Sequence, residues 1–422
     1  MEAYPPVALY VHVPFCLSLC PYCDFVVYSG RHARGPTSRV GTFVAALLVE
    51  LDLRADLLDA RFGAGRPPLE TLYLGGGTPS LLPAAVIRQL LERVDRRFGI
   101  ATGAEVTMEA NPGVADRGDL AGFRAAGVNR LSLGVQSLDR SELKRLGRRH
   151  GPDDVADAMA AARAAGFGDV SLDLLYDIPG QTVGSWEATL EGVVGLAPEH
   201  ISAYALTLDD PEAESLTGPT GDHLPLRSGA RAWRGRARQE QDEDLAAELY
   251  ALARTRLAAA GYAGYELSNW ARPGRECRHN LAYWQREPYE AVGPGAHAFD
   301  GALERRWNAA RLDAYTGALL PRDRSQASLP PGGRETLDGA TARAESVILA
   351  LRLASGVDEA LLGDPLLAPG LAWGLQAGLL ERGSGRIRLS GWGRLLSNEI
   401  FSRLLPDPVP GTPAPVATEA AA

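Results

Sequence analysis

Cys16, Cys20 and Cys23 place three of the chain's four cysteines within eight residues, in the run from Tyr10 to Phe25 that reads YVHVPFCLSLCPYCDF. Their spacing is C-x3-C-x2-C. Three thiolates on one short loop can hold three irons of a 4Fe–4S cubane, which normally takes four cysteine ligands, so one iron keeps an open coordination position. A zinc site would want a fourth Cys or His at finger spacing, and none follows nearby. A disulfide framework would want an even count in a small secreted chain. The plain alternative is three unpaired structural thiols.

Such a loop needs a frame that brings other polar residues to it. Short apolar, β-branched runs alternate with helical patterns through the first half of the chain, which predicts a parallel sheet of βα units. Six strands are expected near 7–13, 71–74, 105–109, 130–135, 170–175 and 200–206. Between them, residues 40–58 place Val40, Phe43, Val44, Leu47, Leu48 and Leu51 on one helical stripe. Residues 117–126, 152–165 and 183–196 follow the same plan. In parallel barrels chemistry sits at the carboxyl ends of the strands. Cys16 follows the first strand, Gly75-Gly76-Gly77-Thr78-Pro79 the second, and Glu109-Ala-Asn111 ends the third. Gln136 ends the fourth and Asp173 lies late in the fifth, so the unusual residues converge on one rim.

Residues 211–241, rich in Pro, Gly, Arg and Gln, read as a flexible surface insertion, and helix is expected again over 243–260. An aromatic loop follows at 277–284, containing Cys277, His279, Asn280, Tyr283 and Trp284. From about 330 the composition turns to Leu and Ala. Helices near 341–354 and 371–380, a short segment at 386–389 and a last helix to Leu405 suggest a winged-helix-like module. The expected layout is one domain over 1–325, a second over 330–405 and a disordered tail over 406–422.

With 422 residues, the chain is long enough for two or three cores. Its formal charge of -9 argues against a nucleic-acid binder with a broad basic surface. It carries no secretion-signal pattern and no apolar run long enough to span a bilayer, so a cytoplasmic protein without membrane contact is expected. A reducing compartment suits cysteines that ligate metal or stay free.

C-x3-C-x2-C with Tyr22 before its last cysteine resembles the cluster loop of the radical S-adenosylmethionine superfamily. The flanking residues narrow the match to the oxygen-independent coproporphyrinogen dehydrogenase group, which includes the HemW-type heme chaperones. That resemblance implies a partial (β/α)6 TIM-like barrel of α/β class with a small, mostly helical winged-helix-like domain behind it. It also implies S-adenosylmethionine on the open iron, where an electron from the cluster can cleave it to a 5′-deoxyadenosyl radical. The ligand's residues would be Tyr10, Tyr22, Gly76, Gly77, Thr78, Glu109, Gln136, Arg148 and Asp173. Without the resemblance, the glycine run is a turn after a strand and Glu109 a cap for the segment that follows it.

HNLAYW (279–284) is similar to the HN-x-x-YW motif of the heme chaperones, which implies a heme ligand in His279. Two departures from the dehydrogenases point the same way: Phe25 stands where they carry a further cysteine, and only nine residues precede Tyr10. Asp177 replaces the family's usual glycine in Tyr-Asp-Ile-Pro-Gly-Gln. The reading is a heme chaperone with a 4Fe–4S cluster and exchangeable S-adenosylmethionine, its partners being heme, a heme-acceptor protein and an electron donor for the cluster. A homodimer is compatible with it, and no catalytic residue is assigned. The alternative is a coproporphyrinogen III dehydrogenase, an enzyme of radical oxidative decarboxylation.

Overall fold

The structure is a computed structural model that describes residues 3–406. Residue 406 is in irregular structure, and the rest of the expected tail lies outside the described residues. Six strands run parallel in sequence order: β1 (Ala8–Val13), β2 (Leu69–Gly76), β3 (Ile100–Ala110), β4 (Arg130–Gln136), β5 (Val170–Tyr176) and β6 (His200–Ala205). Their alternation with helices is the physical basis of the arrangement, since a parallel strand can be reached only by a crossover. The helix Val40–Phe62 buries Phe43, Leu47 and Leu51 against the sheet. A further helix, Ala84–Phe98, covers it with Ile87, Leu90, Leu91 and Val94 and is absent from the sequence reading. The helix expected from 117 begins at Leu120, where Asp119 accepts a hydrogen bond from the Gly122 amide.

The sheet extends past both ends of this barrel. Beyond β6 lie β7 (Ala263–Gly264) and β8 (Asn269–Ala271), with β8 antiparallel to β6. On the other side β9 (Tyr289–Val292) runs parallel to β1, and β10 (His297–Phe299), β11 (Glu304–Asn308) and β12 (Gly332–Thr336) continue it antiparallel. The result is one open sheet of 12 strands, with β12 and β7 at its edges.

Two expectations about irregular segments are corrected. Within 211–241, Ser228–Glu240 is a helix, and it is tied to the cysteine loop through the buried Arg234. Its other buried residue is Ala237, so it carries no apolar stripe by which its sequence could be recognised. The aromatic segment at 277–284 is also helical, over Arg278–Trp284. The Glu105 carboxylate on β3 accepts from the Arg278 and His279 amides, satisfying donors that a helix start leaves open.

The C-terminal region has its own hydrophobic cluster around Leu351, Leu371, Ile387 and Ile400. Four helices, the first of them Gly339–Arg352, pack around a small antiparallel sheet of β13 (Val357–Asp358), β14 (Leu380–Gly383) and β15 (Arg386–Leu389). The expected helix over 371–380 is Ala368–Gln376, and the last one is broken into Gly391–Leu395 and Ser397–Leu404.

One buried carboxylate locks the barrel to the strands beyond β9. Glu50 accepts from Asn308 Nδ2 (2.7 Å), the Gly293 amide (2.9 Å), Tyr315 Oη (2.7 Å) and Arg54. Removing it leaves Arg54 Nε, the Gly293 amide and the Tyr315 hydroxyl without a partner, while Arg54 Nη2 keeps Asn308 Oδ1 and Asn308 Nδ2 keeps the Gly293 carbonyl. Glu50→Ala is expected to destabilise the fold by about 3–5 kcal/mol, seen as a lower denaturant midpoint.

Candidate functional site

The cysteine loop leaves β1 at the carboxyl rim and folds back on itself, the Cys23 amide donating to the Cys20 carbonyl at 3.2 Å. All three cysteines are free. Burial, and then the neighbouring thiols, push the Cys16 thiol up to about 11 and Cys23 higher still. Three sulfurs crowded in this way become a stable anionic set only with a cationic centre among them. Among the described residues, no three His, Cys, Asp or Glu side chains close on a single ion. A cubane asks for no such convergence, because each sulfur takes a different iron. The donor set therefore fits a cluster.

Arg234, which the sequence reading missed, holds the loop in shape. Its Nε donates to the Pro21 carbonyl (3.1 Å), and Nη2 donates to the carbonyls of Tyr22 (2.9 Å) and Cys23 (3.1 Å) and to the Asp24 carboxylate. Nη1 donates to the Asp209 carbonyl. No sequence signal marks it, since more than 200 residues separate it from the loop.

A cavity of about 1010 Å³ opens beside the loop. All twelve residues expected at the cluster and at S-adenosylmethionine line it. Thr78 Oγ1 lies 3.2 Å from Cys16 Sγ and accepts from Asn111 Nδ2 at 3.0 Å. Arg148 donates to Cys20 Sγ (3.7 Å), to the Gly134 carbonyl (2.6 Å) and to Asn111 Oδ1, leaving its buried Nε without a partner. Gln136 is turned inward by a register shift between β4 and β5 and has a left-handed φ of 68°. Asp173 accepts from Ser132 and Ser171, and burial raises its pKa.

Glu109 accepts from Tyr73 Oη (3.0 Å) and the Gly76 amide (2.9 Å). Burial, followed by the charge of Asp173, lifts its pKa to about 7. Gly76, at φ 101°, is required by contact as well as conformation, because a Cβ there would sit 2.3 Å from the His12 ring. His12, on β1, is buried. Its Nε2 lies 2.9 Å from the Val26 carbonyl, so that nitrogen carries the proton and Nδ1 accepts from Tyr10 Oη at 3.1 Å. Asp177 has φ 59°, a left-handed position that glycine enters freely and aspartate tolerates.

His279 stands apart from these residues. It is 1% exposed and does not line the cavity; Nδ1 lies 2.8 Å from Thr71 Oγ1 and Nε2 2.9 Å from Tyr283 Oη. Burial lowers its pKa to about 4, so the ring is neutral. Tyr283 and Trp284 do face the cavity, as do Arg352 and Arg394 from the C-terminal region. Cys277 is a buried thiol whose Sγ lies 3.5 Å from Glu105.

An open parallel barrel with a three-cysteine loop at its rim defines a radical S-adenosylmethionine protein, and the Radical SAM superfamily model matches residues 10–193. The superfamily implies a 4Fe–4S cluster and S-adenosylmethionine. When bound, the cluster supplies an electron and an open iron position. Among curated proteins, the chain is 38% identical over 400 residues to "Heme chaperone HemW" of Mycobacterium tuberculosis, covering 95% of each. To the protein of that name from Escherichia coli it is 37% identical over 297 residues, 70% of this chain and 71% of the other. The structure of coproporphyrinogen III oxidase (HemN) from Escherichia coli superposes with a TM-score of 0.74 at 24% identity, over 95% of this chain and 90% of the other, which shows a shared fold. The chain belongs to the HemW family of heme chaperones. Among the described residues no helix is long and apolar enough to cross a membrane.

Proposed function

We propose that the protein binds heme and passes it to an acceptor protein, with the cluster and S-adenosylmethionine held by the twelve cavity residues named above. The observation that carries this reading is the identity to heme chaperones along nearly the whole chain. Residues 1–325 would form the cofactor-bearing domain and 330–405 a second domain that contributes Arg352 and Arg394 to the cavity lining. Cluster reduction by an electron donor, or occupancy by S-adenosylmethionine, would gate release to the acceptor.

For His279 the geometry favours a positioning role. Both ring nitrogens are engaged, and one of them holds the hydroxyl of Tyr283 at the cavity wall. His279→Ala is expected to weaken heme binding several-fold by freeing Tyr283, without removing a ligand from the iron. The test is anaerobic titration of the cluster-reconstituted chain with hemin, followed at the Soret band, beside an assay with coproporphyrinogen and reductant. Stoichiometric binding without porphyrinogen turnover supports the chaperone; turnover without specific heme binding makes the protein an enzyme.

A further inference from the structure

Asp222 lies buried beside the same cavity and carries two imidazoles. Its Oδ1 is 2.9 Å from His223 Nδ1, and its Oδ2 is 2.7 Å from His297 Nε2. With a ring nitrogen at hydrogen-bond distance from each of its oxygens, the carboxylate accepts from both imidazoles. Each of those nitrogens therefore carries a proton, which fixes the tautomers. With Nδ1 held by Asp222, the His223 ring nitrogen left to meet a ligand is Nε2, which makes no hydrogen bond among the described residues. This is the less hindered ring nitrogen and the usual metal donor. His297 would have to give up Asp222 to offer its own Nε2.

The surroundings combine the carboxylates of Asp222, Asp24 and Glu214, which act on His223, with the apolar side chains of Phe25 and Leu216, on which a flat macrocycle with a metal at its centre could rest. His223 lines the cavity and is about a quarter exposed. Its amide donates to the Leu216 carbonyl at 3.2 Å, and Leu216 also lines the cavity. Gly295 packs between Val26 and Asp222, which brings this group against the outgoing end of the cysteine loop. There Phe25, 42% exposed, presents an aromatic face that no core contact explains. A carboxylate behind a ligating imidazole orients the ring and strengthens it as a donor.

We propose that His223 Nε2, backed by Asp222, is the axial ligand of the heme iron, with the macrocycle lying over Phe25 and Leu216 next to the cluster loop. The assignment rests on the heme-binding reading above and adds the ligand and its place. It puts the cargo at the cluster, where the state of one can be felt by the other.

The test uses the full cluster-reconstituted chain and hemin, with resonance Raman of the reduced complex reading the iron–imidazole stretch. His223→Gly is expected to lose that band and at least tenfold in affinity while keeping its iron and sulfide, and free imidazole is expected to restore both. Asp222→Asn is expected to keep a histidine ligand with a lower stretching frequency. A His223→Gly protein with the wild-type band and affinity overturns the assignment and leaves the heme reading standing. A wild-type chain that takes up no hemin overturns both.

Discussion

Substituting Arg234 by alanine is expected to release the cysteine loop and most of the iron and sulfide the protein can hold. Three consecutive carbonyls, from Pro21 to Cys23, and the Asp24 carboxylate all accept from this one guanidinium. Without it the carbonyls lose their donor, and nothing opposes their turning outward to water. The contacts are charge-assisted, worth about 1.5–3 kcal/mol each and not additive, and Asp24 is partly exposed, so a net loss of about 3 kcal/mol is reasonable. The loss falls on the loop and not on the barrel. The measurement is iron and sulfide per chain after anaerobic reconstitution, with the thermal midpoint of the cluster-free chain as the control. Arg234→Lys should recover little, because an ammonium cannot span several acceptors as a planar fork does. Full cluster content in the alanine variant would show that the loop holds its shape unaided.

Arg234 also shows where reading a sequence stops. The cysteines are legible because one loop carries all three, and the rim residues because a parallel sheet puts every strand's carboxyl end on one side. Neither inference needs long-range packing. The Arg234 helix contributes two buried residues, one of them the arginine itself, so neither apolar periodicity nor composition distinguishes Ser228–Glu240 from a solvated linker. Among the strands beyond the barrel, β7, β8 and β10 escape for another reason, since they have two or three residues each and cannot show an alternation. The motif around His279 is legible as a motif, but its burial against Thr71, more than 200 residues away, is a tertiary fact. Asp177 runs the other way. Its left-handed backbone is one that glycine enters without strain, and here Gln241 Nε2 donates to the aspartate carboxylate at 2.9 Å.

Glu109 should make both stability and cofactor binding depend on pH near neutrality. Its ordinary carboxyl value of 4.5 is lifted to about 7 by burial and by Asp173, against the opposing hydrogen bonds of Tyr73 and Gly76. An acid whose folded pKa is raised keeps a proton that the unfolded chain has lost. Folding is therefore favoured at low pH, and this contribution fades as pH climbs from 4.5 to about 7. Part of the side chain is open to the cavity, so the screened cost above that window is about 2 kcal/mol. Glu109→Gln should recover it, raising the thermal midpoint of the cofactor-free protein near pH 8 while changing little near pH 5. For the ligand the sign reverses. S-adenosylmethionine carries a permanent sulfonium charge, so an ionised Glu109 attracts it and a protonated one does not. Affinity by equilibrium dialysis should rise through pH 7 in the wild type. In Glu109→Gln only the ligand's own titration should remain, with weaker binding on the alkaline side. A carboxylate kept where it costs stability is what a cation-binding wall requires, and equal pH profiles for the two proteins would remove Glu109 from that wall.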